Sequence, residues 1–72
     1  MEDTIREILR EVCGDEILEA DGQLASSGLL DSLAVIELVD RLEEQGILLP
    51  ITRLTYEEMN CIKSLAQACE AM

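Results

Sequence analysis

The chain has 72 residues, the length of one small domain near the lower limit for independent folding. Such a chain buries only about 60% of the surface its unfolded form exposes, which leaves little room for a catalytic cleft beside a core. Its 5 basic and 16 acidic residues give a net charge of −11, which argues against nucleic acid and anionic membrane surfaces, since phosphate binding needs Lys and Arg. The natural partner for this field is a basic protein surface; the plain alternative is charge that only keeps a small domain soluble.

Apolar residues make up 49% of the chain and aromatics 1%, Tyr56 being the one aromatic. The core must therefore be built from Leu, Ile, Val, Ala, Met and Cys. No histidine is present, which removes the commonest general base and the commonest zinc ligand, so no metal site is expected. Cys13, Cys61 and Cys69 are odd in number, show no CxxC spacing and fall in apolar helical stretches. They are expected as buried thiols acting as small hydrophobes. "MEDTIREILREV" is amphipathic and acidic, unlike a secretory signal, and no apolar run approaches the roughly 20 residues that span a bilayer. A reduced, cytoplasmic, monomeric domain covering residues 1–72 is expected, with no stable membrane insertion.

The first helix is predicted to begin near Asp3 or Thr4, either of which can cap it, and to stop at Gly14. Ile5, Ile8, Leu9 and Val12 form its apolar stripe at i, i+3, i+4, i+7 spacing. "DEILEADGQLASSGLL" carries Asp-Gly and Ser-Ser-Gly turn signals. It reads as a long ordered loop with a short helical turn near Leu24, pinned by Ile17, Leu18, Leu24, Leu29 and Leu30. Loops this long in compact domains are uncommon and often functional. A second helix is predicted over Ser32–Gln45, with Val35, Leu38, Val39 and Leu42 as its stripe and Gly46 as its stop. Leu33 and Ile36 fall beside that stripe. After Pro50, Thr55-Tyr56-Glu57-Glu58 has the capping-box pattern and predicts a short third helix. Asn60 is placed to cap a last helix carrying Ile62, Leu65, Ala66 and Cys69. The expected fold class is all-α, a small antiparallel bundle of three main helices plus a short one.

Asp31-Ser32 stands where the second helix starts. Serine is a favoured cap, but Asp31 caps equally well and would leave Ser32 in the first turn with its hydroxyl free. Three residues beyond Ser32 lies Val35, not Glu or Gln, so no capping box supports Ser32 as the cap. A free hydroxyl at a helix N-terminus suits a negatively charged group such as a phosphodiester. Phosphorylation by a kinase is open too, though the acidic setting does not require it. Hydrolytic catalysis is disfavoured: there is no histidine and no GxSxG elbow, and Lys63 as a base lies far along the chain.

"GLLDSLAVIELVDRLEE" resembles the heart of the acyl carrier proteins. The resemblance covers almost the whole chain: amphipathic first helix, long loop, Asp-Ser-Leu, acidic second helix, "GILLP" and "LTYEEMNCIKSLA" occur in the family's order. It implies that Ser32 holds a 4'-phosphopantetheine arm taken from coenzyme A, with Asp31 and Leu33 beside it. It implies partner contacts at Leu33 and Ile36 at the arm's base, and at Glu37, Asp40, Glu43 and Glu44 on an acidic face. The implied role is non-catalytic: an acyl or aminoacyl group is held as a thioester and shuttled between biosynthetic enzymes. Implied partners are a phosphopantetheinyl transferase, an acyl- or aminoacyl-activating ligase and downstream acyl-transfer enzymes, each with a basic docking surface.

The chain departs from the family's pattern at Ala34, where an acidic residue is frequent, at Gln45, where an aromatic is frequent, and at Ile51-Thr52-Arg53, where acids are common. The Gly-Gly-His-Ser pattern of peptidyl carriers is absent. "SSGLLDSL" is similar to the D-alanyl carrier proteins of teichoic acid modification, whose tail often has a tryptophan that this chain lacks. A carrier dedicated to a specialised biosynthetic cluster is equally open. The rival from another class is a non-catalytic acidic helical adaptor that docks through Leu33 and Ile36 and uses Asp31-Ser32 only as a cap.

Overall fold

Helices form where the apolar spacing places them. In the computed structural model, which describes residues 1–71, α1 spans Glu2–Cys13, α2 spans Ser32–Glu44 and α3 spans Ile62–Ala68. Ile5, Ile8 and Leu9 of α1 are buried, as are Val35, Leu38 and Leu42 of α2 and Ile62 and Leu65 of α3. With Ile17, Leu24, Leu30, Ala34 and Leu49 they form one apolar cluster that contains no buried polar side chain. No helix among the described residues is long and apolar enough to cross a membrane.

The start of α1 differs from the expectation. Neither Asp3 nor Thr4 caps it; the helix begins at Glu2 with Met1 at the N-cap and no side-chain cap bond. Glu2 and Asp3 thereby lie in the first turn, where carboxylates complement the helix dipole, and Asp3 pairs with Arg6 at 2.7 Å. Gly14 ends α1 as expected, at φ 92°, a conformation costly for residues with a Cβ.

The long loop between α1 and α2 is pinned by buried Ile17, Leu24 and Leu30 and half-buried Leu29, whereas Leu18 is exposed. A 3-10 turn spans Asp15–Leu18, where Ile17 is wholly buried directly after Gly14. The expected short helical turn forms around Leu24, the Ser27 amide donating to the Gln23 carbonyl four residues back at 2.8 Å and the Gly28 amide to the Ala25 carbonyl at 3.2 Å.

After α2, Gly46 turns the chain into β1, Ile47–Leu48, which pairs antiparallel with β2, Glu70–Ala71. This small ribbon is a feature the helical periodicity does not announce. A 3-10 turn comes after Pro50 over Ile51–Arg53. The predicted capping box then forms: Thr55 N donates to Glu58 Oε1 at 3.0 Å and Glu58 N to Thr55 Oγ1 at 3.2 Å. The short helix it opens is a single 3-10 turn, Glu58–Asn60, because Cys61 is extended, with φ −118° and ψ 137°.

Asn60 does not cap α3. Cys61 occupies the N-cap position without a side-chain bond, and Asp21 of the loop accepts from the Ile62 amide at 2.9 Å. Asn60 faces the loop instead, its Oδ1 accepting from the Ala25 and Ser26 amides at 2.9 Å each. The cysteines also differ from the expectation. They lie at helix ends, Cys13 as the last residue of α1 and Cys61 and Cys69 flanking α3, and all three are half-buried.

Leu9 and Leu18 both come from apolar stretches but have opposite fates. Leu9→Ala is expected to cost about 2–5 kcal/mol, the usual range for emptying a packed leucine site. Leu18→Ala, at a position 47% exposed, is expected to stay below about 1 kcal/mol. Urea unfolding of the two variants checks the contrast.

Candidate functional site

The loop delivers Asp31 to α2 in an extended conformation, with φ −86° and ψ −176°. Its Oδ1 accepts from the Ala34 amide at 2.8 Å and its carbonyl from the Val35 amide at 2.9 Å. Asp31 is therefore the N-cap, and Ser32 is the first helical residue. Among the described residues the Ser32 hydroxyl makes no hydrogen bond, and its side chain is exposed. The Ser32 and Leu33 amides, in the first turn, also lack partners among the described residues. An exposed hydroxyl beside unpaired amides at the positive end of a helix dipole suits a phosphate ester.

Leu33 is 74% exposed and Ile36 54% exposed, while Leu30, Ala34 and Val35 around them are buried. Leu33, Ile36, Glu37, Asp40, Glu43 and Glu44 repeat at i, i+3, i+4 spacing, so they form one exposed stripe opposite the core face of α2. Arg41 half-interrupts the acidic part: it pairs with Glu11 of α1 and lies 3.6 Å from Glu37. Asp40, Glu43 and Glu44 have no ion pair among the described residues. The sequence-predicted site residues thus come together on one face at the start and along the length of α2. Ala34 is buried, so its departure from the acidic family pattern sits at the edge of the core and not on this stripe.

Two depressions involve the start of α2, and Ser32 lines one of them. An apolar groove of about 470 Å³ is lined by Ser32 with Ala25, Leu30, Ile36, Ile51, Tyr56 and Met59, among others. On the α1 side, a depression of about 510 Å³ is lined by Cys13, Asp31, Leu33, Glu37 and Arg41, among others. Ile51, Tyr56 and Met59 lie far from Ser32 in sequence, and no local pattern marks them as its neighbours. Lys63 lines neither depression.

Two thiols have raised pKa values, Cys13 beside the site and Cys69 at the end of α3. Burial, and after it the Asp31 carboxylate, push the Cys13 thiol up, and its Sγ donates to the Leu29 carbonyl at 3.2 Å. Burial likewise pushes the Cys69 thiol up, and its Sγ donates to the Leu65 carbonyl at 3.3 Å. Since the thiolate is the nucleophile, a raised pKa means a slower thiol.

This geometry has two measurable consequences. Asp31→Ala is expected to cost about 0.5–2 kcal/mol through loss of the cap, and Ser32→Ala less than about 0.5 kcal/mol, as read by denaturant unfolding. Cys13 and Cys69 are expected to alkylate more slowly at neutral pH in the folded chain than in urea, as read by peptide mass.

The chain is similar to known proteins over most of its length. The family described as "Phosphopantetheine attachment site" matches residues 3–69. The chain is 40% identical over 63 residues to a D-alanyl carrier protein of Abiotrophia defectiva, covering 83% of this chain and 80% of the relative. It is 36% identical over 75 residues to a D-alanyl carrier protein of Enterococcus faecalis, covering 100% of this chain and 96% of the relative. A D-alanyl carrier protein of Bacillus pumilus is 32% identical over 68 residues, covering 90% and 87%. No solved structure gives a significant match. With nearly its whole length matched, the chain belongs to the phosphopantetheine-attachment family of carrier proteins, whose covalently held group is 4'-phosphopantetheine.

Proposed function

We propose that Ser32 is the attachment residue and that the chain carries a small aminoacyl group of the D-alanine class. The observation that supports Ser32 most directly is that Asp31 performs the capping, which leaves the Ser32 hydroxyl exposed and without a partner. The residues here fit the group: an exposed hydroxyl to esterify, first-turn amides of Ser32 and Leu33 to meet a phosphate, and an open groove lined by Ser32 itself. When bound, the arm supplies a terminal thiol on which a carboxylic acid is held as a thioester. The D-alanyl cargo is supported by the relatives, which bear that name at 32–40% identity.

The chain's own part is presentation. Asp31 fixes the helix start, Ser32 offers the acceptor oxygen, and Leu33 gives an exposed apolar contact beside it. Ile36, Glu37, Asp40, Glu43 and Glu44 extend that contact along α2 toward enzymes with basic surfaces. Those partners are a phosphopantetheinyl transferase that draws on coenzyme A, an aminoacyl-activating ligase and a downstream acyl-transfer enzyme. Residues 1–72 act on this reading as a single cytoplasmic carrier domain that catalyses nothing itself.

Intact mass before and after incubation with coenzyme A and a broad-specificity phosphopantetheinyl transferase tests the attachment. The native chain is expected to gain one phosphopantetheine and Ser32→Ala none. A folded, unmodified native chain that gains nothing would overturn the assignment and favour the acidic adaptor. With an ATP-dependent D-alanine-activating ligase, the loaded chain is expected to gain one alanyl group; loading with long-chain acyl groups alone would overturn the cargo. Because exposed charge contacts are screened by salt, the transferase KM for the carrier is expected to rise several-fold between roughly 0.05 and 0.5 M ionic strength. A flat KM would remove the acidic stripe from the docking surface.

A further inference from the structure

We propose that Asn60 is a positioning residue for Ser32, holding the loop that leads into the Asp31-Ser32 step so that the transferase meets it already ordered. The proposal rests on the reading of Ser32 as the attachment residue.

Four backbone amides of one loop segment converge on Asn60. Its Oδ1 accepts from Ala25 N and Ser26 N, both at 2.9 Å. Its main-chain carbonyl accepts from Gly22 N at 2.9 Å and Leu24 N at 3.1 Å. The contact is returned by Asp21, whose carboxylate accepts from Ile62 N at the start of α3. From this clamp the bonds run on toward Ser32: the Leu24 carbonyl accepts from Leu30 N at 2.9 Å and from Ser27 Oγ at 3.2 Å. Leu30 immediately precedes the capping Asp31.

The clamp also joins two segments that line the groove beside Ser32. Ala25 and Leu30 come from the loop, Tyr56 and Met59 from the segment ending at Asn60, and all four line that groove with Ser32. The loop has reason to need such a clamp. Gly22 and Gly28 hold positive φ, 99° and 87°, and glycine loses more conformational freedom on ordering than any other residue. The apolar pins Leu24 and Leu30 are fully or nearly buried, so they keep the fold without fixing the exposed turn between them.

In the native chain the ordering of this turn is complete before docking. Without the Asn60 side chain the turn must be ordered by the docking enzyme, which weakens binding of the carrier and leaves the chemistry of the docked complex unchanged. Asn60→Ala is therefore expected to raise the transferase KM for the carrier roughly tenfold with kcat unchanged, in line with the loss of one or two hydrogen bonds. Asn60→Asp keeps an oxygen at the Oδ1 position and is expected to stay within about twofold of the native KM. Asn60→Gln keeps the amide but displaces its oxygen by a methylene, and is expected to behave like Asn60→Ala.

The measurement is steady-state arm transfer at saturating coenzyme A with the carrier varied, at a temperature where circular dichroism shows each variant folded. A raised KM in Asn60→Ala or Asn60→Gln, with kcat preserved and Asn60→Asp near native, supports the positioning role. An unchanged KM in either of the first two, a loss confined to kcat, or an equal loss in Asn60→Asp would overturn it. If neither Asn60→Ala nor Asn60→Gln folds, Asn60 is a folding residue and the proposal falls. A native chain that takes no arm sinks the Ser32 assignment and this role with it. A native chain that takes the arm beside variants of unchanged KM sinks the positioning role alone.

Discussion

One hydrogen bond decides what the start of α2 presents. A helix leaves its first amides without internal partners, and some group must answer them. Here the Asp31 carboxylate takes the Ala34 amide at 2.8 Å, which moves Ser32 from the cap into the first turn. Had Ser32 been the cap, its hydroxyl would have turned toward the backbone and been closed to chemistry. With Asp31 in that place, the local order becomes Leu30 in, Asp31 to Leu33 out, Ala34 and Val35 in, Ile36 and Glu37 out. The exposed serine, its apolar neighbours and the acidic stripe all result from that phase of the helix.

The phase in turn depends on a loop with little regular structure of its own. Ile17, Leu24 and Leu30 sink into the core and fix where the loop runs. They do not satisfy its amides. Four of those, at Gly22, Leu24, Ala25 and Ser26, are answered from far along the chain by Asn60, while Asp21 answers the start of α3. Since the core holds no buried polar side chain, this polar exchange is confined to the boundary of the cluster. Apolar burial sets the path of the loop, and hydrogen bonds across its edge set its shape.

The same division explains what could be read from the sequence. The stripes Ile5, Ile8, Leu9 and Val35, Leu38, Leu42 are local periodic signals, and they are the core faces of α1 and α2. Asp31 as cap was legible because Ser32 lacks Glu or Gln three residues on. The Thr55–Glu58 box was legible too, but not the length of the helix it opens, which depends on Asn60 turning to the loop and Cys61 extending. Asn60 looked like a local cap because Asn is a favoured one. Its partners lie 34 and 35 residues away, and Asp21 lies 41 residues from Ile62, separations at which no periodicity operates. The two-residue strands are too short for alternation to show, and the groove residues Ile51, Tyr56 and Met59 reach Ser32 only through the fold.

The acidic stripe is placed against the helix's own preference. Glu43 and Glu44 lie in the last turn of α2, at the negative end of its dipole, where a cation is favoured and a carboxylate is not. Arg41 is the one basic residue there, and Glu11 and Glu37 already engage it. Asp40, Glu43 and Glu44, with no ion pair among the described residues, therefore add to the repulsive field of a chain whose net charge is −11. A run of carboxylates that is locally unfavourable yet sits in register with Leu33 and Ile36 is accounted for by something outside the helix. A basic docking surface offsets the field while bound and releases it on departure. Because such contacts are exposed and screened, they stay weak, which suits a protein that must leave one enzyme to reach the next.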